Sequence, residues 1–240
     1  MTHPEYLLLI NKVNQLRNSV HLFGEEEISE EALDNLKMQI TEFENKNSDL
    51  VSSNSPNYTI AGGVSQGFVK YSHARRMLSL NDIFSSPELM DWQQKWRDYA
   101  VRESISFEPN PKYLCEPKID GLAVALHYKN GRLIRAVTRG DGWIGEMVTN
   151  NILQINSIPK NISDMRELEI RGEVFMTKSD FDKLNQKVLA GEIVGKMNKT
   201  GQEGVFANSR NVASGTIRQL DSNIVAQRNL SFVAYNVYIN

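Results

Sequence analysis

The stretch Cys115-Glu116-Pro117-Lys118-Ile119-Asp120-Gly121 sets one lysine between two carboxylates and ends on a glycine. Leu122-Ala123-Val124-Ala125-Leu126-His127-Tyr128 follows at once, alternating large apolar residues with smaller or polar ones, and then comes Asn130-Gly131. A period of two marks a strand with two different faces, and Asn-Gly favours the type I′ turn of a tight hairpin. Tyr113 to Thr138 therefore reads as strand, turn carrying Lys118, strand, turn, strand. A lysine amine with its ordinary pKa of ~10.4 is protonated near neutrality and has no lone pair to offer. Burial or nearby cations free it as a nucleophile. Carboxylates do the reverse, so Glu116 and Asp120 are better suited to gripping a substrate hydroxyl or a metal ion. Alone, Lys-x-Asp-Gly is a weak signal and reads more readily as a plain turn.

Outward from this centre, Leu168–Met176 and Leu230–Ile239 supply further strand patterns. Helical patterns occupy 145–155, 179–189 with Ser179 as cap, and 208–219. The mixture predicts an α+β fold built on antiparallel sheets. Upstream, Ser86-Pro87-Glu88 is a helix start, with a capping serine and a proline at the first helical position. Leu89, Trp92, Trp96 and Tyr99 repeat on one face of that helix, which assigns the tryptophans to a core. Near the N-terminus, Tyr6, Leu9, Ile10, Val13, Leu16 and Val20 form one apolar helical stripe. Leu33, Leu36, Ile40 and Phe43 form a second, with Ser29 as N-cap and acidic Glu30 and Glu31 in its first turn. The two make a helical hairpin. Residues 47–67, rich in Ser, Asn, Pro and Gly, read as a linker, giving a division into 1–66 and 67–240.

The chain of 240 residues is long enough for one large or two small domains, and 40% hydrophobic with 23% charged residues is ordinary globular composition. A net charge of −2 gives no global attraction to nucleic acid, so any such contact needs a local basic patch. Cys115 is the single cysteine, which excludes an intrachain disulfide framework and a cysteine zinc site within these residues. No membrane or signal segment is legible. A cytoplasmic protein is expected.

Further groups follow the central turn in a fixed order: Arg139-Gly140-Asp141-Gly142, Arg171-Gly172-Glu173-Val174, Phe206-Ala207-Asn208-Ser209-Arg210-Asn211 to Gly215, and Arg218-Gln219-Leu220-Asp221. Together with His73 and Met77-Leu78-Ser79-Leu80, this series resembles the adenylation domain of NAD-dependent DNA ligases. Arg76 stands where that family has proline. The resemblance covers the whole chain and is strongest from Leu78 onward.

The resemblance implies a nucleotidyltransferase domain of antiparallel sheets, preceded by a helical module that recognises the nicotinamide mononucleotide half of NAD. Lys118 matches the lysine that attacks the α-phosphorus of NAD, forming lysyl-AMP and expelling nicotinamide mononucleotide. Glu116, Ser79 and Leu80 match residues around the adenine, and Tyr235 an aromatic that stacks on it. Asp120 and Glu173 match groups that place the ribose or a magnesium-bound phosphate, and Arg139 one that contacts nucleotide and nick. Arg210 and Arg218 match contacts to DNA phosphates; eight positions apart, they are expected on one helix face. In the N-terminal module, Glu30 and Asp34 remain, with His21 upstream, but Leu33 replaces an expected tyrosine. Blander roles are available residue by residue: an acidic solvated face for Glu30 and Asp34, a simple turn for Arg139-Gly140-Asp141, an Arg171–Glu173 pair across a strand end. The implied partner is nicked duplex DNA, joined by a monomer in replication and repair. The family's later lysine motifs, oligonucleotide-binding barrel, zinc finger and helix-hairpin-helix regions have no counterpart here; zinc belongs to that absent part, and the 240 residues alone are expected not to seal nicks. Two alternatives stay open: an ATP- or GTP-using nucleotidyltransferase, and a non-catalytic nucleotide- or DNA-binding remnant.

Overall fold

A computed structural model describes residues 1–23, 28–59, 67–197 and 203–239; side chains at 18–23, 30, 196–197 and 203 fall outside that description, so His21 and Glu30 carry no side-chain account. The chain divides into two units, Met1–Leu78 with Ile119–Asn240, and Ser79–Lys118. The expected boundary after residue 66 falls at the end of 60–66, outside the described residues.

The first unit is organised by a four-stranded antiparallel sheet of β2 (Leu122–Lys129), β3 (Arg132–Thr138), β5 (Leu168–Phe175) and β8 (Ser231–Ile239), in the order β3-β2-β5-β8. The alternation read from the sequence decides its two faces. Leu122, Val124, Leu126 and Tyr128 enter a core with Val174 of β5. Helices α4 (Thr149–Ile152) and α6 (Ser209–Ile217) bring Ile152, Val212, Ala213 and Ile217 to it, and α5 (Lys178–Leu189) and α7 (Ser222–Ala226) add Leu184 and Val225. On the other face, Ala123, Ala125 and His127 stand in register with Glu173, Arg171 and Glu169. One face holds the fold together; the other collects charge. The hairpin turn is as expected, with positive φ at both Asn130 (51°) and Gly131 (74°).

Several local expectations are corrected. Residues 145–155 are not one helix: β4 (Ile144–Glu146) pairs with β1 (Lys70–Ser72) and only the short α4 follows. The reason is a long-range packing constraint. A Cβ on Gly145 would lie 2.8 Å from Val137 Cγ1 and 3.0 Å from His73 Nε2, so the backbone is pressed against its neighbours in an extended run. No strand forms over Tyr113–Asp120. Thr177, not Ser179, caps α5, its hydroxyl accepting from Asp180 N at 3.1 Å. The small β6 (Lys196–Met197) and β7 (Glu203–Gly204) pair antiparallel.

Helices α1 (His3–Phe23) and α2 (Glu30–Lys46) pack through Tyr6, Ile10, Val13, Ile40 and Phe43, with Leu33 and Leu36 at the margin. Ser29 caps α2 as expected, accepting from Ala32 N at 3.2 Å. Residues 47–59 are not a free linker. Buried Glu44 accepts from the Tyr6 hydroxyl at 2.7 Å and from Asn57 Nδ2 at 2.8 Å, while Arg17 donates to Pro56 O at 3.1 Å and Thr59 O at 2.9 Å. Buried carbonyls of an irregular segment need such donors, and the Ser/Asn/Pro composition hides that need.

The second unit is built on α3 (Ser86–Arg102). Its cap is Ser85, whose hydroxyl accepts from Glu88 N at 3.4 Å while Glu88 Oε2 accepts from Phe84 N at 3.1 Å. The tryptophans are not a core: Trp92 is 43% exposed, its ring 5.8 Å from that of Tyr113, and Trp96 meets Phe107 edge-on at 5.2 Å.

Candidate functional site

Strand β5 places Glu173, and the end of β3 delivers Arg139, on the charge-bearing face of the sheet. A small cleft of about 40 Å³ lies there, lined by Gly121, Ala123, Arg139, Glu173, Arg210 and Ser214 among others. That volume holds a water or two. Partial burial pushes the Arg139 guanidinium below the ordinary arginine value; Glu173 opposes the shift and Arg210 adds to it. Arginine keeps its charge throughout, so the cleft concentrates two cations and one carboxylate.

The Arg139-Gly140-Asp141-Gly142 run is a tight turn, as its blander reading has it. Asp141 Oδ1 accepts from Trp143 N at 2.8 Å and Ile144 N at 2.7 Å, and Gly140 and Gly142 take positive φ of 57° and 93°. This turn fixes where Arg139 leaves the strand. On α6, Asn208 Oδ1 caps the helix by accepting from Arg210 N at 2.7 Å, and Arg210 Nε reaches Asp120 Oδ1 at 3.0 Å. Asp120 is thereby engaged with a cation, both side chains partly exposed.

Arg218 does not share that setting. It follows the last turn of α6, and its side chain is buried against Glu146, Nε to Oε2 at 3.2 Å, with Nη1 donating to Ser214 Oγ at 3.0 Å. Arg171 does not pair with Glu173; its Nε meets Glu169 Oε1 at 2.6 Å. Tyr235 is the extra residue of a β8 bulge, between the pairings Arg171–Asn236 and Gly172–Ala234, and is 55% exposed. Asp34 is ion-paired with Lys37 at 3.4 Å on α2, and Leu33 packs into the α1–α2 interface where the family pattern has tyrosine. Lys118, Glu116, Ser79 and Leu80 all belong to the second unit and have exposed side chains. Lys118 is its last residue; Ile119, Asp120 and Gly121 begin the return into the sheet.

Sequence reasoning missed two positions, Asn151 and Glu146, and gave His73 no role beyond its place in the motif series. Asn151 donates from Nδ2 to Ile217 O and Gln219 O, both at 2.7 Å, closing the C-terminal end of α6. Glu146 and His73 are buried polar residues on the same framework. The alternation in Leu168-Glu169-Ile170-Arg171-Gly172-Glu173 was a usable signal for a charged sheet face; Glu146 and Asn151 gave none, because their partners lie far along the chain. Among the described residues no group of three or more His, Cys, Asp or Glu side chains is arranged to hold a metal, and no helix is long and apolar enough to cross a membrane. A larger cavity of about 230 Å³ shares no residue with the cleft, and its one carboxylate, Asp180, accepts from the Thr177 hydroxyl at 2.6 Å.

The profile of the NAD-dependent DNA ligase adenylation domain matches residues 65–240. The chain belongs to that family. A DNA ligase of Mycoplasmopsis agalactiae is 40% identical over 95% of the chain and 32% of its own length. DNA ligases of Aliarcobacter butzleri and Helicobacter pylori are 40% and 38% identical over 99% and 98% of the chain, covering 34% and 33% of theirs. The chain thus spans about a third of the length of these relatives. In this adenylation domain the Lys118 turn, the Arg139 turn, the Glu173 strand and the Asn208-capped helix all lie within the matched residues.

Proposed function

We propose that the chain accepts AMP from NAD on Lys118, and that in a longer ligase this step precedes the sealing of nicks between 5′-phosphate and 3′-hydroxyl ends of duplex DNA, in replication and repair. The observation that carries the reading is the convergence of Arg139, Glu173 and Arg210 on one cleft beside Gly121, three residues after Lys118. Phosphoryl-type transfer depends chiefly on positioning and on cations that meet developing phosphate charge. The neutral Lys118 Nζ attacks the α-phosphorus, the bond to the nicotinamide mononucleotide phosphate breaks, and lysyl-AMP forms as the amine loses its remaining extra proton. Arg139 supplies positive charge to the phosphate and later to the nick; Glu173 and Asp120 serve the ribose or the metal. Tyr235 stacks on adenine, with Glu116, Ser79 and Leu80 as further contacts.

Magnesium fits this set, since it is commonly held by one or two carboxylates with substrate phosphates completing its shell; Asp120 and Glu173 would hold it, and it would neutralise phosphate charge. Arg210, near the start of α6 with its partly exposed pair to Asp120, is the stronger contact for DNA phosphate; Arg218, at the opposite end of α6 and buried against Glu146, is the weaker one. Glu30 and Asp34 belong to a helical hairpin for the nicotinamide mononucleotide half, residues 67–240 to the nucleotidyltransferase arrangement. We read the protein as a cytoplasmic monomer. The test is transfer of label from adenylate-labelled NAD to the protein with release of nicotinamide mononucleotide. Transfer from ATP and not NAD would favour an ATP-using nucleotidyltransferase, and transfer from neither would leave a non-catalytic binding domain.

A further inference from the structure

Arg171 engages all three nitrogens of its guanidinium. Its side chain is 6% exposed, and each arm of its guanidinium is committed. Nε donates to Glu169 Oε1 at 2.6 Å, Nη1 to Arg76 O at 2.9 Å and Nη2 to Arg75 O at 2.6 Å, while its face lies 4.6 Å from the Tyr238 ring centroid. Two of these donors therefore serve main-chain carbonyls in an irregular segment that no helix or sheet satisfies. The same segment is gripped from its other side by the Arg139 turn. His73 N donates to Trp143 O at 2.8 Å, Met77 N donates to Gly142 O at 2.9 Å, and His73 Nε2 lies 3.0 Å from Thr138 O.

Stability alone does not account for such a residue. Buried ion pairs generally add little over well-packed apolar groups, and the Glu169 pair uses one arm of the fork. The planar fork is what spans two successive carbonyls, which the point charge of a lysine cannot do. Arg171 is also two residues from Glu173 on β5, and Arg76 is three residues before Ser79.

We infer that Arg171 is a positioning residue for nucleotide transfer: it clamps the Arg75 and Arg76 carbonyls to the strand that bears Glu173 and so fixes the backbone that the Arg139 turn holds at His73 and Met77. The inference rests on the adenylation reading above. Loss of the clamp weakens nucleotide binding without touching the reacting atoms.

The test uses the full chain with Arg171→Lys, which keeps the charge beside Glu169 but loses the fork, and with the double substitution Glu169→Met/Arg171→Met, which replaces the buried pair by apolar volume. Arg171→Lys is expected to raise KM for NAD about tenfold or more, the scale of one charge-assisted hydrogen bond, with the saturated single-turnover rate within about threefold of wild type. The double variant leaves no unpaired charge at Glu169 but still removes the donors of the Arg75 and Arg76 carbonyls, so it is expected to keep the raised KM at a modest loss of thermal stability. Independently of activity, amides of Arg76–Leu78 should exchange with solvent about tenfold faster in both variants, those of Leu122–Lys129 unchanged. A wild-type KM in Arg171→Lys or in the double variant, or unchanged exchange at Arg76–Leu78, would each overturn the inference. If wild type takes no label from NAD, the functional reading fails and this inference with it, whatever the exchange data show of the clamp.

Discussion

Gly121 closes the turn that carries Lys118, and its lack of a side chain is structural. A Cβ there would overlap Val174 O and lie 2.9 Å from Val174 C and 3.1 Å from Phe175 Cβ. All three atoms belong to β5, the strand that bears Glu173, and two are main chain that cannot rotate away. Gly121→Ala must therefore push the turn off the strand by about 1 Å to restore ordinary contact. Overpacking of this kind costs about 1–3 kcal/mol of stability, whereas a displacement of ~1 Å at reacting groups costs about 100-fold in rate. The variant should remain folded at 25 °C and transfer AMP from NAD about 100-fold more slowly. The assay is single-turnover labelling at saturating NAD, beside urea denaturation. Gly215→Ala is the control: a Cβ there meets nothing within 4 Å on α6, so it should leave the rate unchanged and add about 0.5–1 kcal/mol of stability. A Gly121→Ala rate within about threefold of wild type would refute the claim that this close approach sets the geometry of the turn.

Three further outcomes are expected. Arg218→Met removes the guanidinium that pairs with the buried Glu146 carboxylate at 3.2 Å, so it should cost about 3–5 kcal/mol in urea denaturation, and Glu146→Leu/Arg218→Leu should recover most of it. Arg210→Ala removes a partly exposed pair with Asp120 and should change stability by less than about 1 kcal/mol, while weakening retention of nicked DNA in a salt titration. Burial lowers the pKa of both His73 and His127; Glu169 opposes the shift for both, Arg171 reinforces it for both, and Arg135 does so at His127. Their folded values thus lie below the unfolded 6.5, so the unfolded chain binds more protons and stability is lost as pH drops. Stability should be full above about pH 6.5 and decline through the lower folded values as pH drops; thermal melts of His127→Gln should flatten part of that decline.

The four strands of the main sheet and the hairpin were legible because their signals are local. Alternation over Leu122–Tyr128 matches the two sheet faces residue for residue, and Asn130-Gly131 takes the left-handed backbone its composition favours. The apolar stripes of Tyr6–Leu16 and Leu33–Phe43 met each other for the same reason. What failed was set by distant partners. Ile144-Gly145-Glu146 looked helical in its window, but β1 and the close approach at Gly145 hold it extended. Arg210 and Arg218 share a helical spacing, yet one faces Asp120 at the cleft and the other is drawn inward by Glu146, seventy-two positions away. The contacts of Asn151 and of Arg171 to main-chain carbonyls reach residues remote in sequence, which no spacing rule encodes. At the cleft, the order of the charged groups was readable and their convergence on β5 and α6 was not.

The central claim is that Lys118 carries the adenylate. Peptide mapping of the protein after incubation with NAD and magnesium tests it most directly, by locating the acid-labile phosphoramidate along the chain. The account predicts one AMP on the peptide containing Lys118, and none anywhere in Lys118→Ala. An adduct on another lysine, or one that persists in Lys118→Ala, would contradict it.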